Sequence, residues 1–183
     1  MYEVPEASLV STEHGLVPQG KGWYVVNARE SRWFENDLFG RYTGFEGDVR
    51  FPVLGINIGV LDPGQPACMY HGESNQEDFL VLSGECLLLV EGEERQLRAW
   101  DFFHSPAWTE HVLVGAGDGP CVILAVGARS PDSSVRYPAA EFAQAHGAAV
   151  AETTDSPKVA YAPYPDDVER PYRNGDLPDL PPG

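Results

Sequence analysis

The segment YHGESNQEDFLVLSG, residues 70–84, places one histidine and three carboxylates within eight positions, directly before a strongly apolar run. Successive side chains of a β-strand point to opposite faces, so His71, Glu73 and Glu77 share a face, whereas Asp78 points outward. The residues that follow on the inward face are apolar. The sequence therefore predicts that these side chains lie at the rim of an apolar interior.

An ionised carboxylate at such a rim is costly unless a cation compensates its charge. The closest basic residues in the sequence are Arg50 and Arg95, so a metal ion is the more economical partner. Imidazole nitrogen and carboxylate oxygen together suit Zn, Fe, Mn, Ni or Co, and the absence of a thiolate argues against a structural zinc site. A further ligand must come from elsewhere in the fold, and His111, at the start of EHVLVG, is the best candidate.

Several side chains near this cluster allow more than one interpretation. Glu73 could be a metal ligand, a base hydrogen-bonded to a ligand, or an exposed charge. Gln76 would replace Glu77 if the strand register slipped by one residue. His104, in DFFHSP, could reach the cavity, although a lone histidine is more often satisfied by ordinary hydrogen bonds. Trp108, three residues before His111, could form a cavity wall or simply pack.

The elements that must position these residues are short β-type runs separated by turn residues. In order, the runs are WYVVNA, RYTGF, GINIGVL, DFLVLSG, ECLLLVEG, RQLRAW, DFFHSP, EHVLVG and CVILAVG. No helical pattern lies between them, which predicts an all-β antiparallel sandwich or barrel rather than βαβ units. We expect residues 1–22 to be an irregular arm and residues 23–130 to be the β domain.

Residues 131–183 have a different composition. The stretch PAAEFAQAHG predicts one short helix, which begins near Pro138 and stops at Gly147. From Ser156 onward the chain is too rich in proline and aspartate for a helix or a sheet interior. This tail is either disordered or an extended strap across the domain, and its tyrosines favour the strap.

Composition limits the classes of partner. The net charge of −16, with no cluster of lysine and arginine, argues against nucleic acid and anionic membrane surfaces. No basic apolar leader and no membrane-length apolar run is present, so we expect a cytoplasmic protein. Cys68, Cys86 and Cys121 are widely spaced in apolar runs, which is typical of buried thiols in a reducing compartment.

The opening segment, residues 70–84, resembles the first of two signature motifs of the cupin superfamily, which are small double-stranded β-helix (jelly-roll) barrels. Its two histidines, its glutamate and its closing glycine correspond here to His71, Glu73, Glu77 and Gly84. The resemblance implies a cupin barrel as the fold. It also implies that His71, Glu73, Glu77 and His111 are the ligands of one divalent metal ion.

The second cupin motif falls on Trp100, Pro106, Trp108, His111 and Gly115. Both glycines of that motif are tryptophan here, and its closing asparagine is glycine. In the first motif a ligand histidine is Glu73, which gives two imidazoles and two carboxylates. With a divalent ion this set is formally neutral and should polarise bound water less strongly than the usual cupin set.

The resemblance implies an enzyme that acts on a small organic molecule through a bound Zn, Fe, Mn or Ni ion. Its chemistry would be of the dioxygenase type or of the isomerase or lyase type, with Glu73 as the general base in the second case. A non-catalytic metal- or small-molecule-binding module is the alternative. A metal-free sugar-nucleotide enzyme is disfavoured, because no basic cluster is present to hold a pyrophosphate.

We further expect a homodimer. Exposed edges of jelly-roll sheets tend to pair, and WYVVNA is a candidate for an extra strand that pairs with a second subunit.

Overall fold

The computed structural model describes residues 3–179, so the first two residues of the predicted arm and the last four of the predicted tail lie outside it. Strand is the predominant regular structure, and helix is rare. In chain order the strands are β1 (Ser8–Thr12), β2 (Gly15–Gln19), β3 (Trp33–Asn36), β4 (Gly40–Gly44), β5 (Leu54–Leu61), β6 (Gly72–Glu73), β7 (Glu77–Ser83), β8 (Glu85–Val90), β9 (Glu93–Arg98), β10 (Phe102–Ser105), β11 (His111–Ala116), β12 (Cys121–Ala128), β13 (Val135–Arg136) and β14 (Val168–Arg170). Short helices α1 (Glu141–Gln144) and α2 (Pro157–Ala160) precede β14.

Antiparallel sheets build the domain. The larger sheet has the strand order β10-β7-β12-β5-β4-β3-β14, and a smaller sheet has the order β11-β8-β9. The chain passes from β7 to β8 through Gly84, where φ is 75° and a Cβ would lie 2.4 Å from the carbonyl oxygen of Pro120. Glycine is therefore required at this crossing between the sheets. The predicted all-β class is confirmed.

Apolar side chains from both sheets form the core that lies between them. The buried members of this cluster are Leu61, Phe79, Val81, Cys86, Leu88, Leu113, Cys121 and Ile123. Cys86 and Cys121 are fully buried free thiols, as predicted, and Cys68 is a partly buried free thiol. Phe79 and Val81 lie on the same inward face of β7 as Glu77, so the predicted strand parity is confirmed.

Two expectations for the N-terminal region are wrong. Residues 8–19 are not irregular, because β1 and β2 form a hairpin in which Val10 pairs with Val17. The run WYVVNA is not a strand, since Trp23 makes only an isolated bridge to Glu6. The edge of the larger sheet beside β3 is taken by β14, from the C-terminal tail.

The C-terminal tail is an extended strap, as its tyrosines indicated. After β14, Tyr172 packs against the fully buried Trp33, with ring centroids 5.8 Å apart. Arg170 and Asp176 are both buried, and their side chains form two hydrogen bonds of 2.8 and 2.9 Å. Burial raises the pKa of Asp176, but the neighbouring Arg170 outweighs it and holds that pKa below its usual range. The strap is thus anchored by an ion pair as well as by aromatic contacts.

The predicted helix is present but short. It covers only α1, and Gly147, with φ of 67°, lies just beyond it where the stop was expected. The helix α2, which has proline in its first turn, was not predicted from the sequence. Among residues 3–179, no helix is both long and apolar enough to cross a membrane.

Candidate metal centre

His71 and His111 face each other across an isolated antiparallel bridge. The backbone N–H of His71 donates to the carbonyl of His111 at 3.1 Å, and the reverse hydrogen bond is 2.8 Å. Their rings lie side by side, with centroids 5.2 Å apart. Glu77, the first residue of β7, completes the group, and one ligand atom from each of the three residues lies within 4.8 Å of the others. The structure therefore brings together three of the predicted ligands.

Hydrogen bonds to the backbone fix how both imidazoles are turned. Nδ1 of His71 lies 2.8 Å from the carbonyl oxygen of Met69, and Nδ1 of His111 lies 3.0 Å from that of Thr109. Because a carbonyl only accepts, each Nδ1 carries the proton and donates it. Both Nε2 atoms then face Glu77 Oε2, at 3.5 and 3.4 Å. A carbonyl that orients the far nitrogen is the usual support of a metal-binding histidine.

Two atoms at the centre of this group lack hydrogen-bond partners. Glu77 Oε2 and His111 Nε2 are buried, and neither atom forms a hydrogen bond within residues 3–179. A buried polar atom left without a partner costs about 1–3 kcal/mol. A divalent cation bound between them would satisfy both atoms, and two imidazoles with one carboxylate are an established donor set for Zn and Fe. The residues present therefore fit a metal ion.

The charges of the group are strongly coupled. Burial raises the pKa of Glu77, but the imidazoles of His111 and His71, whose Nε2 atoms lie 3.4 and 3.5 Å from Oε2, outweigh it and bring that pKa to about 2. Burial alone would lower the pKa of His71, yet Cys68 and Glu77 hold it well above its usual range. A proton therefore competes with any metal ion for Nε2 of His71, and binding of the ion would release that proton.

Glu73 lies near this group but outside it. Its carboxylate is not among the ligand atoms that cluster within 4.8 Å. Burial and the charge of Glu77 raise the pKa of Glu73 to about 7, against the opposing effect of His71. Its backbone carbonyl accepts a hydrogen bond of 2.6 Å from the N–H of Trp108. The role of Glu73 as a ligand or base stays a prediction.

Aromatic rings and one glycine surround the centre. Phe79 and Phe103 stand edge-on to the His111 ring, with centroids 5.2 and 5.4 Å away, and Tyr137 lies 5.7 Å from His71. A Cβ at Gly127 would lie 3.6 Å from Glu77 Oε1. The sequence does not predict a place at the site for Phe103, Tyr137 or Gly127, because only the folded chain brings them there. The side chains of His71 and Glu77 remain 12 and 19% exposed, so the centre is reachable from solvent.

The alternative candidates lie elsewhere. Gln76 is exposed and donates to Asp78, so the register that would make it a ligand is not adopted. His104 is half exposed and bonds to the outward-facing Asp78 at 2.6 Å, so it is satisfied by an ordinary hydrogen bond. Trp108 is about half exposed and stands near the centre only through its backbone bond to Glu73.

Sequence and structure comparisons agree with this architecture. The family model of the cupin domain matches residues 57–127. The chain contains a cupin domain. The matched region spans β5 to β12 and includes the three clustered ligands. The double-stranded β-helix class expected of a cupin is thereby confirmed.

Similar solved structures cover about half of the chain. A structure described as a sugar phosphate isomerase from Acidithiobacillus ferrooxidans is 27% identical over 45% of this chain and 55% of that one, with a TM-score of 0.44. A sugar phosphate isomerase of the cupin superfamily from Silicibacter pomeroyi is 24% identical over 61 and 68% of the two chains, with a TM-score of 0.48. A DMSP lyase from Ruegeria pomeroyi is 19% identical over 51 and 49%, with a TM-score of 0.43. A comparison with curated proteins gives no match.

Both tryptophans at glycine positions of the second cupin motif have left-handed backbones. The φ angle is 77° at Trp100 and 69° at Trp108. Both positions thus adopt a backbone conformation that favours glycine, although neither residue is glycine. A non-glycine residue in this region costs about 1–2 kcal/mol.

We predict that Trp100→Gly is more stable than Trp100→Ala by about 1 kcal/mol, because only glycine relieves the positive φ. Trp100 is 74% exposed, so both variants lose few packing contacts. Chemical denaturation of the two variants measures the difference. Equal stability of the glycine and alanine variants would show that the backbone at this position carries no strain.

Proposed function

We propose that this cupin domain binds one divalent metal ion through His71, Glu77 and His111, and that it is an enzyme acting on a small organic molecule. The observation that carries the proposal is the pair of buried, unpartnered atoms, Glu77 Oε2 and His111 Nε2, between imidazoles oriented by backbone carbonyls. A group of this kind is costly without a cation and complete with one.

The ligand set favours catalysis over structural metal binding. Three protein ligands leave coordination positions open, as in catalytic sites, whereas structural zinc sites are closed by four. A bound divalent ion would polarise a substrate oxygen as a Lewis acid, or as Fe(II) with two histidines and one carboxylate would support oxygen-dependent oxidation. The chain itself supplies the orientation: Met69 and Thr109 hold the imidazoles by their carbonyls, and Phe79 and Phe103 exclude water behind His111.

Glu73 is the proposed general base. It is a carboxylate beside the three ligands without being one of the clustered atoms, so it is placed to take or return a substrate proton. The buried ring of Tyr137 lies beside His71, with centroids 5.7 Å apart.

The metal site is tested by elemental analysis of protein purified without chelators. We expect close to one Zn, Fe, Mn or Ni per wild-type chain and none in the His71→Ala, His111→Ala double variant. The matched control is His104→Ala, His146→Ala, which removes two histidines that lie outside the cluster and should retain the metal.

Added metal should also raise the melting temperature of the wild type and of this control, but not that of the double variant. Wild-type protein that neither contains nor takes up any of these ions would contradict the proposal. A metal-free binding module would then be the better interpretation.

The separate roles of the two glutamates predict different metal affinities. Glu77→Gln should weaken metal binding by at least about 100-fold, because it removes a charged ligand, whereas Glu73→Gln should change it by less than about threefold. Competition with a chromophoric chelator measures both affinities. Equal losses in the two variants would make Glu73 a ligand and remove it as the free base.

We also propose a homodimer that forms through β10, at the free edge of the larger sheet. Phe102 in this strand is 62% exposed and the adjacent Trp100 is 74% exposed. Exposed apolar edge strands pair readily with a second chain. Light scattering should give twice the 20.0 kDa of one chain.

Phe102→Lys should shift the dimer to monomer. Val168→Lys is the control, because Val168 is 66% exposed on β14 at the opposite edge and should leave the dimer intact. A monomeric wild type, or a dimer that only the Val168 variant disrupts, would contradict this interface.

We propose the cytoplasm as the compartment, since all three cysteines are free thiols.

A further inference from the structure

Two adjoining cavities lie at the surface between the N-terminal hairpin and the segment that leads into β5. The first has a volume of about 440 Å³, and Lys21, Arg50 and Asp48 are its charged lining residues. The second has a volume of about 500 Å³ and is lined by apolar and aromatic side chains, among them Trp23 and Val25. Both cavities are lined by Tyr24 and Phe51, so together they form one cleft with a charged end and an apolar end.

The charged end is positive, in contrast to the chain as a whole. Within residues 3–179, neither Lys21 nor Arg50 forms an ion pair with a carboxylate within 4 Å. The only lining carboxylate, Asp48, accepts the backbone N–H of Gly20 at 2.8 Å. The nearby Glu46 is compensated mainly by Arg129, whose guanidinium donates to both of its oxygens, and the charge of Arg50 also lowers the pKa of Glu46. Among residues 3–179, two cations without a carboxylate within 4 Å thus line one cavity, together with Asp48, in a protein with a net charge of −16.

Large apolar side chains at the apolar end of the cleft are exposed to solvent. The exposed fraction is 51% for Trp23 and 80% for Val25, and Phe45 and Ile56 complete the wall. Exposure of such side chains to water is unfavourable, and a ligand that covers them lowers the free energy. The cleft therefore offers an apolar contact surface that no part of the described chain occupies.

Close backbone contacts hold the walls of the cleft in place. A Cβ at Gly22 would lie 2.2 Å from the carbonyl oxygen of Pro5, and a Cβ at Gly47 would lie 1.6 Å from that of Pro18. Only glycine permits such contacts, so the hairpin is seated directly on the loop that follows β4. The hydroxyl of Tyr24 donates to the carbonyl of Phe45, which fixes the ring shared by both cavities. The cleft is thus built before any ligand arrives.

We propose that this cleft binds a small amphipathic carboxylate. The carboxylate lies at Lys21 and Arg50, and its aliphatic or aromatic body lies against Trp23, Val25 and Ile56. An ammonium group in the same place would meet two like charges, and an uncharged head group would leave both cations without a partner. This binding site is separate from the metal centre and does not depend on the metal proposal.

The test is calorimetric titration of the full chain with three probes of one chain length: octanoate, octan-1-ol and octylammonium. The net charge of −16 attracts cations to the protein in general. Tighter binding of octanoate than of octylammonium would therefore indicate a local positive site, because the overall charge favours the opposite order. We expect saturable binding of octanoate, with octan-1-ol and octylammonium weaker by at least about tenfold.

Variants locate the site. Lys21→Gln, Arg50→Gln should weaken octanoate binding about tenfold, and Val25→Ser should weaken it about threefold through lost apolar contact. The matched control is Arg98→Gln, Lys158→Gln, which removes two cations outside the cleft and should leave the affinity within about twofold. All these side chains are exposed or bear no core contact, so folding should be unaffected, and unchanged melting curves check this.

Three results would overturn the proposal: no octanoate binding, octylammonium binding as tightly as octanoate, or equal affinity in the two double variants. Sedimentation with vesicles of phosphatidylglycerol distinguishes a free carboxylate from a membrane surface. Binding to the vesicles without binding of octanoate would assign the cleft to lipid instead and would equally overturn it.

Discussion

The buried charge of Glu77 is the constraint on which the rest of the site depends. Its carboxylate lies at the start of β7, between two imidazoles that approach from a backbone bridge, and one of its oxygens has no hydrogen-bond partner among the described residues. A charge in this position is stable only if a cation or a proton compensates it. The hydrogen bonds from His71 and His111 to backbone carbonyls turn their Nε2 atoms toward this charge. The geometry of the centre follows from that requirement.

Segments outside the matched cupin region help to build this centre. The hydroxyl of Tyr161, just after α2, accepts the backbone N–H of Met69 at 3.1 Å, and the carbonyl of Met69 in turn orients His71. Tyr137 packs against both Tyr161 and His71. The C-terminal region is therefore connected to the imidazole of His71 by two contacts. Its strap, anchored by the buried pair of Arg170 and Asp176, adds β14 to the edge of the larger sheet.

Much of the fold and the centre of the site could be predicted from the sequence. Strand parity placed His71 and Glu77 on one face, and the β-type runs from RYTGF onward correspond to strands β4, β5 and β7–β12. The failures concern features that pattern alone does not decide. WYVVNA has the pattern of a strand but, within the described chain, finds no strand partner beyond the isolated bridge of Trp23, whereas β14 pairs with β3. The backbone carbonyls that orient the histidines, and the ring of Tyr137, leave no signal in residue type or spacing.

The tryptophans at the glycine positions of the second cupin motif adopt left-handed backbones. Trp108 keeps a left-handed φ of 69°, and its N–H donates to the carbonyl of Glu73 at 2.6 Å. This bond ties the turn before β11 to β6, next to the bridge between His71 and His111. The turn also presents the carbonyl of Thr109 that orients His111. The cost of the backbone strain at Trp108 is therefore offset by contacts that fix the imidazole of His111, as is common where strain is kept near functional groups.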